Sequence, residues 1–328
     1  MPGKKTEKPG VLPGGLAGRG RRVAQNPVLK WIPGLVGISL LLFLLHRANW
    51  SSLGDLASRM ALLPLFLATC AGALNLLAAA LRFRLLVDAP LGLGRASGIF
   101  LTGFLFNYLL IFPGFGSGVK VGLLWKDRVG LARSLAGVGG EVLLDILFCA
   151  LAGVLFLALR PELLAFPLPD RPAWIVLALT AGGLGLLGVL FRAQRRRLAA
   201  SLSSLFEAGR YLLRRRVLFQ SAALTTVSWA FSAGTAALLF SALGASPPFF
   251  DVLGGVCIAA LGGQASLIPA GLGVREGIWV YLFTRSGIEF SVCVFVALCQ
   301  RVLFLFLALG GWAILRAFAA RARERESR

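Results

Sequence analysis

Histidine is nearly missing from this sequence, with His46 the single example in 328 residues. A Ser-His-Asp relay or a polyhistidine metal site therefore has almost nothing to be built from. Acids are scarce too, 14 Asp and Glu against 34 Lys and Arg, and no long polar stretch remains that would fold as a separate soluble catalytic domain. The cysteines Cys70, Cys149, Cys257, Cys293 and Cys299 all lie in apolar sequence without a C-x-x-C or a nearby histidine pair. That pattern supports neither a zinc site nor a disulfide framework. A Walker-type G-x-x-x-x-G-K-[ST] run is absent, so direct ATP use is not indicated. No metal, no cofactor and no catalytic residue is expected.

What is abundant is apolar surface. Hydrophobic residues make up 57% of the chain and mean hydropathy is +0.81, well above the roughly 45–50% apolar content of soluble domains. The sequence reads as an all-α polytopic membrane protein. Its formal charge of +20 comes from Lys and Arg clustered in the connections and tails, as in cytoplasmic loops. Anionic lipid headgroups at the cytoplasmic surface, rather than nucleic acid, are the expected partners of that charge.

Residues 1–27 are expected to be a disordered basic cytoplasmic tail, and 28–315 a single transmembrane domain. Apolar runs extend from Val28 to Leu45, Ala61 to Leu81, Ser134 to Leu159, Ala173 to Phe191, Val217 to Leu243 and Ser291 to Leu315. Trp50–Arg59 suggests a short interfacial helix, Arg82–Arg95 a cytoplasmic loop, residues 192–216 a basic amphipathic cytoplasmic segment, and 316–328 a charged cytoplasmic tail.

Two further apolar stretches are broken. Pro269, Gly271 and Gly273 interrupt one just before Arg275 and Glu276; Pro113, Gly116 and Gly118 interrupt the other just before Lys120. Proline removes a backbone donor and glycine admits positive φ, so both read as bends between half-helices, with these residues as hinges. The order of proline, glycines, valine and cation is shared between the two stretches and suggests an internal repeat. The basic clusters fall on one side only if 96–125 and 252–284 each enter and return on their own side. The outcome is about six spanning helices plus two facing re-entrant hairpins in an inverted-topology repeat, in the inner membrane with both termini cytoplasmic. Glycine-rich faces leave oligomerisation open.

Each charge inside a membrane costs about 2.5–3.5 kcal/mol on insertion scales and generally marks function. Glu141 and Asp145, four residues apart, share one helix face. They either carry protons and balance charge together with Glu276, or pair with Lys120, Arg275 or Arg301 to hold helices together. The three cations and the positive ends of the half-helices suit an anionic group. Lys120, Arg275 and Arg301 are thus the candidate substrate-binding residues, and Glu141, Asp145 and Glu276 a coupling or ion-pair network.

Pro113-Gly-Phe-Gly-Ser-Gly-Val-Lys120, Glu141-Val-Leu-Leu-Asp145 and Ile268-Pro-Ala-Gly-Leu-Gly-Val-Arg-Glu276, followed by Arg301, resemble the transmembrane region of lysylphosphatidylglycerol synthases, a flippase-like family. The resemblance spans about Val28 to Leu315, and its most specific part is the Pro-x-Gly-x-Gly-x-x-Glu run. Where family members often carry Glu-Arg-x-x-Asp, this chain has Val142, so no ion pair can come from that position. The resemblance implies movement of a membrane phospholipid or other polar lipid headgroup across the bilayer. It does not imply aminoacyl transfer, because the soluble synthase domain is not in this chain. Alternatives from other classes are a membrane-embedded enzyme or a scaffold acting in modification of lipids or lipid-linked glycans.

Overall fold

The computed structural model describes residues 27–48, 50–109, 114–164, 210–266 and 268–326. Among them the chain is helical throughout, without strands. In order come α1 (Pro27–Ala48), α2 (Trp50–Arg59), α3 (Leu62–Val87), α4 (Leu93–Leu109), α5 (Phe115–Lys126), α6 (Leu131–Leu159), α7 (Arg215–Ala242), α8 (Phe249–Ala265), α9 (Val274–Arg285) and α10 (Phe290–Glu326). Short 3-10 turns sit at Pro161–Leu164 and Pro269–Gly271. Within the described residues α3, α6, α7 and α10 are long and apolar enough to cross a membrane, and α1 with α2, bent by 77°, would make a fifth. The chain is accordingly a polytopic, all-α membrane protein. The expected span Ala173–Phe191 lies outside the described residues, as do 1–26 of the basic tail and 192–209 of the amphipathic segment.

The core forms where small side chains let helices approach. The buried face of α3 includes Ala68, Ala71, Gly72, Ala78, Ala79 and Ala80, and that of α7 includes Ser221, Thr225, Ser228, Ser232, Ala233 and Ala236. α3 and α7 make the most extensive helix contact among the described residues, as expected where lipid offers no hydrophobic drive and close van der Waals packing must serve. Hydroxyls on α7 bond both along the helix and across the contact: Thr225 Oγ1 donates to the Ser221 carbonyl at 2.7 Å, and Ser228 Oγ to Asn75 Oδ1 of α3 at 2.6 Å. Outward faces stay apolar and exposed, notably Leu143, Leu147, Leu151 and Val154 on α6 and Leu62, Leu63 and Phe66 on α3. A band of that kind is what hydrocarbon chains would cover.

Two helix pairs fold back on themselves. In the first, α4 and α5 pack together, and Arg95 near the start of α4 reaches Asp127 just past the end of α5 at 2.6 and 2.7 Å. In the second, α8 and α9 pack together, with Gly255 against Phe283 and Gly262 against Ile278. The open ends of the pairs lie at opposite ends of the bundle. Arg84 and Arg133, which bond the carbonyls of Leu91 and Asp88, share the end of Arg95 and Asp127. At the other end, Asp251 of α8 holds Arg160 past the end of α6 at 2.7 Å, and the Ala61 amide donates to Ala242 at 2.9 Å. The bend of the second pair contacts α4 of the first, so the closed ends meet inside the bundle.

Three boundaries differ from the sequence expectation. The span ending at Leu81 continues to Val87, which moves Arg82 and Arg84 out of a loop and into α3. Arg215 and Arg216 begin α7 rather than ending an amphipathic connection. The expected charged tail from Arg316 is helical to Glu326 as the end of α10, a 37-residue helix roughly 55 Å long at 1.5 Å per residue. Arginine is a good helix former, and a helix already nucleated by packing carries on through basic sequence until a breaker stops it.

Candidate functional site

A cavity of about 640 Å³ opens where the two closed ends meet. Its walls come from α3 to α10 apart from any contribution of α2 or α1, and three cations, Arg82, Lys120 and Arg275, line it with two acids, Glu141 and Asp145. Neutral polar groups complete the lining, among them Asn75, Asn107, Tyr108, Ser117, Ser228 and Gln264. The volume falls in the range of small-molecule sites, and polar lining this deep in apolar helices has to answer to something other than lipid tails.

Four of the charges form one alternating chain. Lys120 Nζ donates to both oxygens of Glu141, at 2.9 and 2.8 Å, and is held against the rings of Phe100 and Phe83, 4.6 and 5.2 Å from their centroids. Glu141 lies 3.8 Å from Arg82 Nη2. Arg82, only 2% exposed, grips Asp145 with both terminal nitrogens at 2.6 and 2.9 Å and donates to Thr225 Oγ1 at 3.0 Å. The indole of Trp229 closes the chain with a 2.8 Å bond to Asp145 Oδ1. Arginine suits the central place because its planar fork meets a carboxylate with two parallel bonds. The chain ties α3, α5, α6 and α7 together.

A second cluster locks the bend before α9. Ala270, Gly271 and Gly273 all have positive φ, at 51°, 62° and 76°. Gly273 has no room for a side chain, since a Cβ would meet the Gly37 carbonyl and Leu40 of α1. The Gly273 amide donates to Glu276 Oε2 at 2.7 Å, so Glu276 caps its own helix. Its other oxygen lies 3.0 Å from Arg301 Nη1, while Arg301 Nη2 donates to the Ala270 carbonyl at 2.6 Å. One acid and one arginine thereby hold a left-handed, strained turn in place. Gln300, beside Arg301 and buried, bonds the Ser232 carbonyl of α7.

The six charged residues expected from sequence converge on this region, but in unequal states. Lys120 is paired with Glu141, and Arg301 with Glu276, whereas Arg275 lines the cavity with no carboxylate or hydrogen-bond partner among the described residues. Arg275 lies on Gly263, whose missing side chain makes room for its stem. Glu276 and Arg301 brace the wall from behind and do not line the cavity. Of the expected hinges, Gly271 and Gly273 lie in the second bend and Pro269 opens it, while Pro113 is outside the described residues. Gly116 and Gly118 differ: both are inside α5, and the positive φ belongs to Gly114, at 74°. Gly116 instead allows close approach, because a Cβ there would meet the Gly103 carbonyl of α4.

Sequence reasoning missed Arg82, Trp229 and Thr225. Val142 leaves no arginine between the two acids of α6, yet Arg82 reaches both of them from α3. The one available signal was that Arg82 follows an unbroken apolar run with no helix-breaking residue until Pro90. A wider cleft of about 840 Å³, lined by Leu81, Arg84, Asp88, Tyr211 and Phe219, lies between the end of α3 and the start of α7. It contains none of the buried ion pairs.

No protein of curated function matches the chain. The family model described as "Lysylphosphatidylglycerol synthase TM region" does match it, over residues 30–311. That range holds both helix pairs, the cavity and every charge in its wall, and the chain belongs to the family of the lysylphosphatidylglycerol synthase transmembrane region.

Proposed function

We propose that the protein is a lipid translocator, moving a polar or anionic lipid headgroup across the cytoplasmic membrane while the acyl chains stay in the bilayer. The observation that carries this reading is the polar, charged cavity at the meeting point of two helix pairs that open to opposite ends of an apolar bundle. In this reading the pairs α4–α5 and α8–α9 are re-entrant hairpins related as an inverted repeat, the arrangement in which discontinuous helices meet at the midplane and give alternating access to one site. The end bearing Arg84, Arg95, Arg128 and Arg133 faces the cytoplasm by the positive-inside rule. Arg275 and Lys120 contact the headgroup. Glu141, Asp145, Glu276 and Arg301 rearrange between inward and outward states, with Arg82 joining the two acids of α6.

Coupling between site and bend runs through Glu276, which caps α9 while holding Arg301. In Glu276→Gln the amide oxygen can still accept from Gly273, so α9 keeps its cap and the Arg301 ion pair alone is lost. Scrambling of fluorescent anionic and zwitterionic lipids in proteoliposomes tests this. Native protein is expected to move at least one lipid class, and Glu276→Gln to move none while remaining folded by size-exclusion chromatography. No movement of any lipid by the native protein, or equal transport by both proteins, would reject the reading.

A further inference from the structure

Two walls of the cavity, α8 and α5, pack on α6, and they are fastened to it in different ways. α8 is interlocked with α6 along the seam. Phe156 fills the notch left by Gly254, Ile258 lies on Gly153, and Cys149 and Cys257 are buried in one cluster. Past the end of α6, Arg160 holds Asp251 of α8 at 2.7 Å. The other wall is looser. Among the described residues the extensive helix contacts of α5 are with α4 and α6. On the α4 side it is fixed at both ends, by the approach of Gly116 to Gly103 near the closed end and by the fork of Arg95 on Asp127 at the other. On the α6 side the one ion pair among the described residues is Lys120 with Glu141. Gly118 and Gly122 of α5 face open space, so no neighbour among the described residues blocks an outward turn there.

We infer that α5 is a door, hinged on α4 and latched to α6 by Lys120 and Glu141, and that Arg82 takes over Glu141 when the latch opens. Arg82 has the donors for it. The end of its guanidinium, Nη1 and Nη2, is spent on Asp145. Its side edge, Nε and Nη2, is a second two-donor fork; there Nη2 lies 3.8 Å from Glu141, while Nε is buried without a hydrogen bond. A buried donor left unpaired asks for an occupant. Glu141 moving from Lys120 onto that edge supplies one, so Lys120 can leave without stranding a buried carboxylate. Ser117 and Lys120 of α5 line the cavity along with Glu141 and Val142 of α6, so turning α5 off α6 opens the cavity sideways while α6 and α8 stay one body. The use of this door rests on the proposed transport site; the latch is read from the contacts themselves.

Distances between spin labels, measured by double electron–electron resonance on the full chain in nanodiscs, separate the latch from transport. Labels at Gly122→Cys of α5 and Leu155→Cys of α6 report the door. Labels at Leu135→Cys of α6 and Phe250→Cys of α8 report the other seam, each pair in an otherwise cysteine-free background. Lys120→Met keeps an apolar stem beside Phe83 and Phe100 but drops the charge, and Glu141→Gln keeps the shape of the acid. Each is expected to add a second population to the first distance and to leave the second distance unchanged. A first distance that stays single in both variants, or a second distance that shifts with it, overturns the inference. The hand-over has its own readout. Lys120→Met should lower the melting temperature less than Arg82→Met does, because Glu141 then has Arg82 to turn to; an equal or larger fall would remove that step. If the door responds but no lipid is scrambled, the latch stands and the translocator fails. Scrambling by a protein whose first distance stays single in both latch variants would do the reverse.

Discussion

Arg82 shows how much depends on a partner. Its guanidinium is buried with Asp145 and Glu141; without it Glu141 would keep Lys120, but Asp145 would lose its paired cation. Removing one member of a buried pair costs about 3–5 kcal/mol, whereas removing both can be close to neutral. Arg82→Met should therefore lower thermal stability in detergent sharply, and Arg82→Met with Asp145→Leu should recover most of the loss. A double variant no more stable than the single would mean that the pair is not the source of the cost. Lys120 and Glu141 form a more cushioned pair, because Phe83 and Phe100 also hold the ammonium. Arg275 is the contrasting residue: with no ion pair among the described residues, its replacement is expected to cost binding rather than fold.

At the scale of the element, the two helix pairs use glycine differently. The α8–α9 bend needs Gly271 and Gly273 for positive φ, and Gly273 also lies against α1. In α4–α5 the need is for contact, where Gly103 and Gly116 face each other with no space for a methyl group. Gly116→Ala should force the two helices apart and destabilise by roughly 1–3 kcal/mol, the usual cost of overpacking. Gly118→Ala, with open space at its Cβ, should be neutral or stabilising by up to about 1 kcal/mol, since alanine is the better helix former. Melting curves of the two variants would distinguish a contact surface from a pair of hinges; similar losses in both would restore the hinge reading. The helix starts also limit the repeat. Lys120 is the sixth residue of α5 and Arg275 the second of α9, so the two cations differ in depth by four residues, about one turn. Only Arg275 is at the bend.

For the whole molecule, the arrangement of ends is the testable feature. If the helix pairs are re-entrant from opposite sides, single cysteines introduced in a cysteine-free background at Ala89 and Gly130 should react with a membrane-impermeant maleimide only from the cytoplasmic face. Those at Gly244 and Gly287 should react only from the opposite face. Labelling of Ala89 and Gly130 from different faces would show that α4 and α5 together cross the membrane, and would remove the inverted arrangement.

Composition, apolar run length and the two glycine–proline breaks determined from sequence alone that this is a helical membrane protein of the lysylphosphatidylglycerol synthase transmembrane-region family, with charge gathered at two interruptions. Those features are local, because hydropathy, backbone propensity and motif spacing act over one or two dozen residues. Which charge meets which was settled only by tertiary structure. Arg82 and Asp145 are 63 residues apart, and their pairing depends on α3 packing directly against α6. Packing of α5 on α6 and of α9 on α10 gives Lys120 and Arg301 carboxylate partners and leaves Arg275 without one among the described residues. Whether a buried cation serves the fold or is left for a ligand depends on neighbours that the chain brings from afar.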